Sequence, residues 1–90
     1  MKTSEEFNEK YANWLETGHY GLAIDDEDVV NYLDTHFTLL VQQHSNFSYA
    51  QIKTKFSSVR FYCTGPSEKI VSMIERDIEG YLKVKHHGKW

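Results

Sequence analysis

The sequence is poor in three features on which many small proteins depend: cysteine, proline and long apolar runs. Its 90 residues include one cysteine and one proline. A lone Cys63 excludes an intrachain disulfide and favours a reducing, cytoplasmic location. No run approaches the ~20 apolar residues of a transmembrane helix, and no signal peptide follows Met1, so we expect no membrane association. The length predicts a single domain, residues 1–90, with one modest core.

Signatures of catalysis and of metal binding are also missing. The chain has no Gly-x-Ser-x-Gly, no glycine-rich phosphate loop and no His-Glu-x-x-His. Its five histidines lack the spacing of zinc ligands. The acidic run Asp25-Asp26-Glu27-Asp28 is typical of a helix start and lacks the alternation of a calcium loop. We expect Cys63 to face the core as an inert thiol. The sequence therefore predicts a non-enzymatic protein with no metal and no cofactor.

Positive charge is scarce in the first third of the chain. Residues 1–34 carry nine acids and two lysines, a net charge of −7, whereas residues 35–90 carry eight bases and four acids, a net charge of +4. One interpretation is that the two halves neutralise each other within the fold. The other is an acidic surface that steers a basic partner protein. Its predicted members are Glu5, Glu9, Glu16, Asp28 and Asp34.

Three helices are predicted from apolar spacing and capping residues. Thr3 and Glu6 form a capping box for the first, which we expect to end near Gly18. Asp25 or Asp26 caps the second, and Ser67 caps the third after a Gly-Pro turn. Residues 83–90 are expected to be a frayed tail. The predicted apolar faces are Phe7, Tyr11, Trp14 and Leu15; Val29, Val30, Leu33, Phe37, Leu40 and Val41; and Ile70, Val71, Ile74, Ile78, Tyr81 and Leu82.

The stretch 51–64 predicts a β-hairpin that turns at Ser57-Ser58. In this register Phe56 pairs with Val59 and Lys55 pairs with Arg60. Alternation then gives one apolar face, formed by Ile52, Thr54, Phe56, Val59, Phe61 and Cys63. Residues 48–56 also fit a helical turn, and that alternative stays open. The predicted fold is α+β, three helices packed on a hairpin in the order α-α-β-β-α.

The other face of the predicted hairpin is basic and carries an aromatic side chain. Two cations placed opposite each other are unfavourable unless an anion lies between them, and a lysine beside a tyrosine resembles a platform for a nucleotide or a single strand. Lysines also protect exposed strand edges from aggregation, which is the simpler explanation. The residues of this predicted ligand- or partner-binding face are Lys53, Lys55, Arg60 and Tyr62.

A two-stranded hairpin leaves its edges open. We therefore expect a homodimer to be possible, in which the hairpins of two subunits pair edge to edge across a two-fold axis. The net charge of −3 argues against general nucleic-acid binding.

The segment Gln51-Ile52-Lys53-Thr54-Lys55-Phe56, followed by Arg60-Phe61-Tyr62, resembles a Gln-Ile-Lys-x-Lys-Phe-x-x-x-Arg-Phe-Tyr pattern of small phage and prophage proteins. In those proteins a glycine often occupies the turn where this chain has Ser57-Ser58. The resemblance covers the hairpin alone and implies an accessory protein of phage-like origin. Such proteins often bind and block a host factor, as anti-CRISPR proteins do.

Two functions are therefore expected, ahead of a third and weakest one, a hydrolase that uses the acidic cluster. The first is a phage-type protein that binds and inhibits or modulates a host protein. The alternative is a binder of an anionic small ligand, nucleotide or single-stranded nucleic acid at the basic face of the hairpin.

Overall fold

The fold combines three helices with a small sheet, and the computed structural model describes residues 1–88 of the chain. The element order is α1 (Ser4–Lys10), β1 (Gly21–Leu22), α2 (Glu27–Gln43), β2 (Ser48–Lys55), β3 (Ser58–Thr64) and α3 (Glu68–Lys85), with a 3₁₀ turn (Ala12–Trp14) after α1. The α+β class is confirmed. The predicted order α-α-β-β-α lacks β1, which lies between the first two helices, and the packing of all three helices on the hairpin stays a prediction.

Each helix begins at a capping residue that the sequence predicts. The Thr3 hydroxyl accepts a hydrogen bond from the Glu6 amide at 3.1 Å. The Asp26 carboxylate accepts from two amides at the start of α2, and Ser67 accepts from the Ile70 amide. These side chains satisfy amides that have no partner inside the helix, which fixes where each helix starts.

The first helix is shorter than predicted, because it ends at Lys10. The chain leaves the helical path so that Leu15 forms a parallel bridge with Tyr49. The Glu16 amide then donates to the Tyr49 carbonyl at 2.8 Å. The last helix extends through Lys85, so residues 83–85 of the predicted tail are helical, and residues 89–90 lie outside the described residues.

The sheet has three strands in the order β1-β2-β3, not the two of the predicted hairpin. Strand β1 pairs parallel with β2, through Gly21 opposite Gln51 and Leu22 opposite Ile52. Strand β3 pairs antiparallel with β2. Because β1 spans two residues, it is too short to produce an alternating pattern that sequence analysis could detect.

The hairpin is confirmed over the helical alternative, but its predicted register is wrong. Lys55 pairs with Ser58, so the two-residue turn is Phe56-Ser57 instead of Ser57-Ser58. Val59 lies opposite Thr54, and Phe56 is 92% exposed at the turn. Both registers place the same strand residues on each face, which is why alternation cannot distinguish them. The predicted burial of Ile52, Val59 and Phe61 is confirmed, whereas the predicted burial of Phe56 and Thr54 is wrong and Cys63 is only partly buried.

The core is centred on Phe37, which is fully buried. Its ring centroid lies 4.8 to 5.7 Å from those of five other aromatic residues. These neighbours come from α1, its C-terminal cap, β2, β3 and the segment before β2, so one side chain joins distant parts of the chain. They are Phe7, Tyr11, Phe47, Tyr49 and Phe61.

Side chains from helices form hydrogen bonds with both edges of the sheet. On the β1 edge, Asn8 accepts from the Leu22 amide at 2.8 Å and donates to the Leu22 carbonyl at 3.1 Å, as a neighbouring strand would. On the β3 edge, Glu79 accepts from the Val59 amide at 2.8 Å and Glu75 accepts from the Phe61 amide at 2.9 Å. These bonds occupy three amides at the edges of the sheet, and the homodimer through the hairpin edge stays a prediction.

Candidate functional site

The outward face of the sheet brings the predicted basic residues together. Lys53 lies directly opposite Arg60, and Gln51 lies opposite Tyr62. The predicted pairing of Lys55 with Arg60 is wrong, since Lys55 closes the turn opposite Ser58. We call Lys53, Lys55, Arg60 and Tyr62 the basic face. Lys55, Arg60 and Tyr62 are exposed and Lys53 is partly buried.

In the part of the chain that the structure describes, no carboxylate forms an ion pair with the basic face. Within residues 1–88, the ion pairs join Lys10 to Asp34, Lys85 to Asp26 and His19 to Glu16, and none involves Lys53, Lys55 or Arg60. Two cations opposite each other repel, which weakens the sheet by a few tenths of a kcal/mol up to ~1 kcal/mol. The arrangement is therefore suited to an anionic surface or ligand.

At the end of the basic face, the turn presents a phenylalanine to solvent. Phe56 is the most exposed of the large hydrophobic residues described, and the Lys55 ammonium lies 5.9 Å from the centre of its ring. Phe56 and Ser57 have φ angles of 51° and 62°, the sign required of both central residues in a type I′ turn. Asparagine and glycine adopt this conformation readily, whereas a bulky side chain pays strain of ~1–2 kcal/mol. We call Lys55, Phe56 and Ser57 the hairpin tip.

Three of the five acidic residues predicted as a partner surface accept hydrogen bonds from side chains of the fold. Asp34 accepts hydrogen bonds from Lys10 and Tyr11 at 2.8 and 2.5 Å. Although burial opposes ionisation of Asp34, these bonds hold its pKa below the ordinary value. Glu16 accepts from Ser48, and Asp28 accepts from Tyr81. Only Glu5 and Glu9 stand exposed on α1 without such contacts among residues 1–88.

Cys63 is half-buried opposite Tyr49. Burial, with smaller contributions from Glu75 and Glu16, raises the pKa of the thiol to about 11. The side chain therefore stays protonated at neutral pH, the unreactive form of cysteine. In residues 1–88, no three histidine, cysteine, aspartate or glutamate side chains come together as metal ligands.

Within the same residues, no helix has the length and apolar character needed to cross a bilayer. Comparison with known protein families, with curated proteins and with solved structures gave no match. Function therefore has to be argued from the geometry of this chain.

Sequence reasoning found the basic face but missed the hairpin tip. The sequence did contain a signal for the hairpin tip, because a turn at Phe56-Ser57 preserves the alternation of the strands as well as a turn at Ser57-Ser58 does. Choosing between them requires knowing that α3 places acceptors against the Val59 and Phe61 amides. That contact depends on residues 14 to 20 positions further along the chain.

Proposed function

We propose that this protein is a non-enzymatic binding protein that inserts its hairpin tip into an acidic partner protein. The observation that carries the proposal is Phe56, held 92% exposed in a turn with positive φ. Strain retained at a surface position points to a role for the side chain displayed there. An aromatic anchor entering an apolar pocket, with cations around it, is a common arrangement at the centre of protein interfaces.

The surroundings of Phe56 indicate the chemistry of the partner. Lys55, Lys53 and Arg60 lie on the same hairpin and have no carboxylate partner among residues 1–88. A complementary partner has an apolar pocket bordered by Asp or Glu, because opposite charges across an interface raise the association rate and favour the correct partner. Because the hairpin sequence resembles that of small phage proteins, we propose that the partner is a host protein. The chain would inhibit or modulate this protein, in the manner of an anti-CRISPR protein.

We predict that Phe56→Asn abolishes partner binding without lowering the stability of the fold. Asparagine tolerates positive φ, so the variant should be slightly more stable in urea, by roughly 0.5–1 kcal/mol. It should lose the host proteins that the unaltered chain captures from a bacterial lysate. Tyr20→Asn is the matched control, because Tyr20 is 79% exposed on a distant segment, and it should retain capture. Equal capture by Phe56→Asn and the unaltered chain would refute the hairpin tip as the anchor.

A second candidate function is supported by the Lys53–Arg60 pair. An anionic ligand between these residues would remove the repulsion that their direct opposition creates. Tyr62, 47% exposed on the same face, adds a ring on which a base could stack. In this reading the basic face binds a nucleotide or a short single strand.

Titration of a labelled mononucleotide and oligonucleotide at two salt concentrations tests the second candidate. If it holds, affinity falls as salt rises because binding releases counterions, and Lys53→Ala/Arg60→Ala abolishes it. Lys69→Ala/Arg76→Ala removes the same charge from exposed positions of α3 and should leave binding intact. Given the net charge of −3, we expect no measurable oligonucleotide binding at physiological salt.

A further inference from the structure

A small cavity lies between α2 and α3, on residues that the proposed function does not use. Its volume is about 120 Å³, and its lining combines Val29 and Ile78, both 2% exposed, with Tyr32 and Tyr81. This volume is below the ~300–1,000 Å³ of sites for drug-sized molecules. The cavity therefore suits the end of one side chain.

Two reciprocal hydrogen bonds frame this cavity. Tyr32 of α2 donates to Asp77 of α3 at 2.6 Å, and Tyr81 of α3 donates to Asp28 of α2 at 2.9 Å. Burial, together with the hydrogen bond to Asp77, raises the pKa of Tyr32 well above its ordinary value, so its hydroxyl remains a donor at neutral pH. Each bond uses the Oδ2 atom of its aspartate, and the Tyr81 hydroxyl also lies 3.1 Å from Oδ1 of Asp26.

Among the described residues, no cation pairs with either of the two rim carboxylates, Asp28 and Asp77. Within residues 1–88, neither Asp28 nor Asp77 forms an ion pair, and the nearby Lys85 pairs with Asp26. The cavity thus joins an apolar floor, two tyrosine rings and two carboxylates that form no ion pair within residues 1–88, with the Lys85 ammonium 5.8 Å from the centre of the Tyr81 ring. An alkyl chain that ends in a cation matches all three, because the chain packs on the floor while aromatic rings and carboxylates attract the charge.

We propose that the cavity between α2 and α3 binds the side chain of a lysine from a partner protein. The four methylenes of the lysine lie against Val29 and Ile78, and its ammonium lies between Asp28 and Asp77. This surface shares no residue with the hairpin tip, and it gives a defined role to Asp28, one of the acidic residues predicted as a partner surface. It does not depend on the proposed function of the hairpin.

The test is an NMR titration of the ¹⁵N-labelled protein with Nα-acetyl-lysine N-methylamide. We expect saturable shifts at Val29, Tyr32, Ile78 and Tyr81, with a dissociation constant on the order of 1 mM for so small a probe. The norleucine analogue has a similar alkyl chain without the ammonium and should give no saturable shift. Equal shifts with both probes, or none with the lysine probe up to about 50 mM, would overturn the proposal.

The Asp28→Asn/Asp77→Asn variant removes the negative charges of the rim and keeps its hydrogen-bond acceptors. The asparagine amide oxygens still accept from the tyrosine hydroxyls, so the fold should be retained, while binding of the lysine probe weakens at least about tenfold. Glu5→Gln/Glu9→Gln makes the same change in net charge on α1 and should leave binding unchanged. Phe56→Asn should also retain it, so failure of the hairpin proposal and failure of this one are distinguishable. Undiminished binding by the Asp28/Asp77 variant would refute the site.

Discussion

Replacing Phe37 by alanine is expected to cost about 3–5 kcal/mol of the free energy of unfolding, a large share of the ~5–15 kcal/mol typical of a domain. Phe37 is fully buried, and its ring is packed against five aromatic neighbours. Its removal leaves a cavity at the point where helices and sheet meet, which local relaxation cannot fill. Urea melts of the variant measure this cost.

Phe56→Ala is the matched control for this experiment. The same change of side chain is made at a position that is 92% exposed, so the free energy of unfolding should move by less than about 0.5 kcal/mol. A Phe37 variant within about 1 kcal/mol of the unaltered protein would contradict the proposed centre of the core. A large loss for Phe56→Ala would contradict the observed register and favour the one in which Phe56 faces inward.

This pair of phenylalanines shows how far the sequence predicts the fold. The burial of Phe37 was predictable from the sequence, because Phe37 lies on the apolar face of α2 that the helical repeat of apolar residues defines. Tertiary packing only covers that face. The position of Phe56 does not follow, since two turns separated by one residue give the same alternation. Capping residues such as Thr3 and Ser67 were predictable, because their hydrogen bonds are local.

The candidate sites divide in the same way. The basic face was predictable because strand alternation alone puts Lys53, Arg60 and Tyr62 on one side. The cavity between α2 and α3 was not, since it requires Tyr32 to meet Asp77 45 residues further along the chain. Strand β1 could not be predicted either, because its two residues are positioned by a hydrogen bond to Asn8 and by pairing with β2, and not by an intrinsic β propensity.

The closure of the β3 edge has a simple geometric basis. Alternate residues of a strand direct their amides to the same side about 6.7 Å apart, and residues four apart on a helix rise by about 6 Å. Glu75 and Glu79 therefore match the Phe61 and Val59 amides, one to one. Since a strand edge with free amides is a template for another strand, we expect these carboxylates to oppose pairing of β3 with a second copy.

We expect Glu75→Ala/Glu79→Ala to convert the protein into a self-associating form. Two partly buried amides would lose their acceptors, at a cost of roughly 1–3 kcal/mol for each one that water does not reach. The strand of a second subunit can supply the missing carbonyls, so sedimentation velocity should show a dimer or larger species that grows with concentration. The unaltered protein should sediment as a monomer under the same conditions, because its β3 edge is already occupied.

The Glu75→Gln/Glu79→Gln variant tests whether the hydrogen-bond acceptors or the negative charges of these residues prevent self-association. The glutamine amide oxygens accept from the same backbone amides, so this variant should remain monomeric and lose little stability if hydrogen bonding closes the edge. If it associates as strongly as the alanine variant, repulsion between negative charges, and not the occupied amides, keeps the subunits apart. A monomeric alanine variant would show instead that α3 covers β3 by its bulk alone, with Ile74 and Ile78 holding the helix in place without help from the two carboxylates.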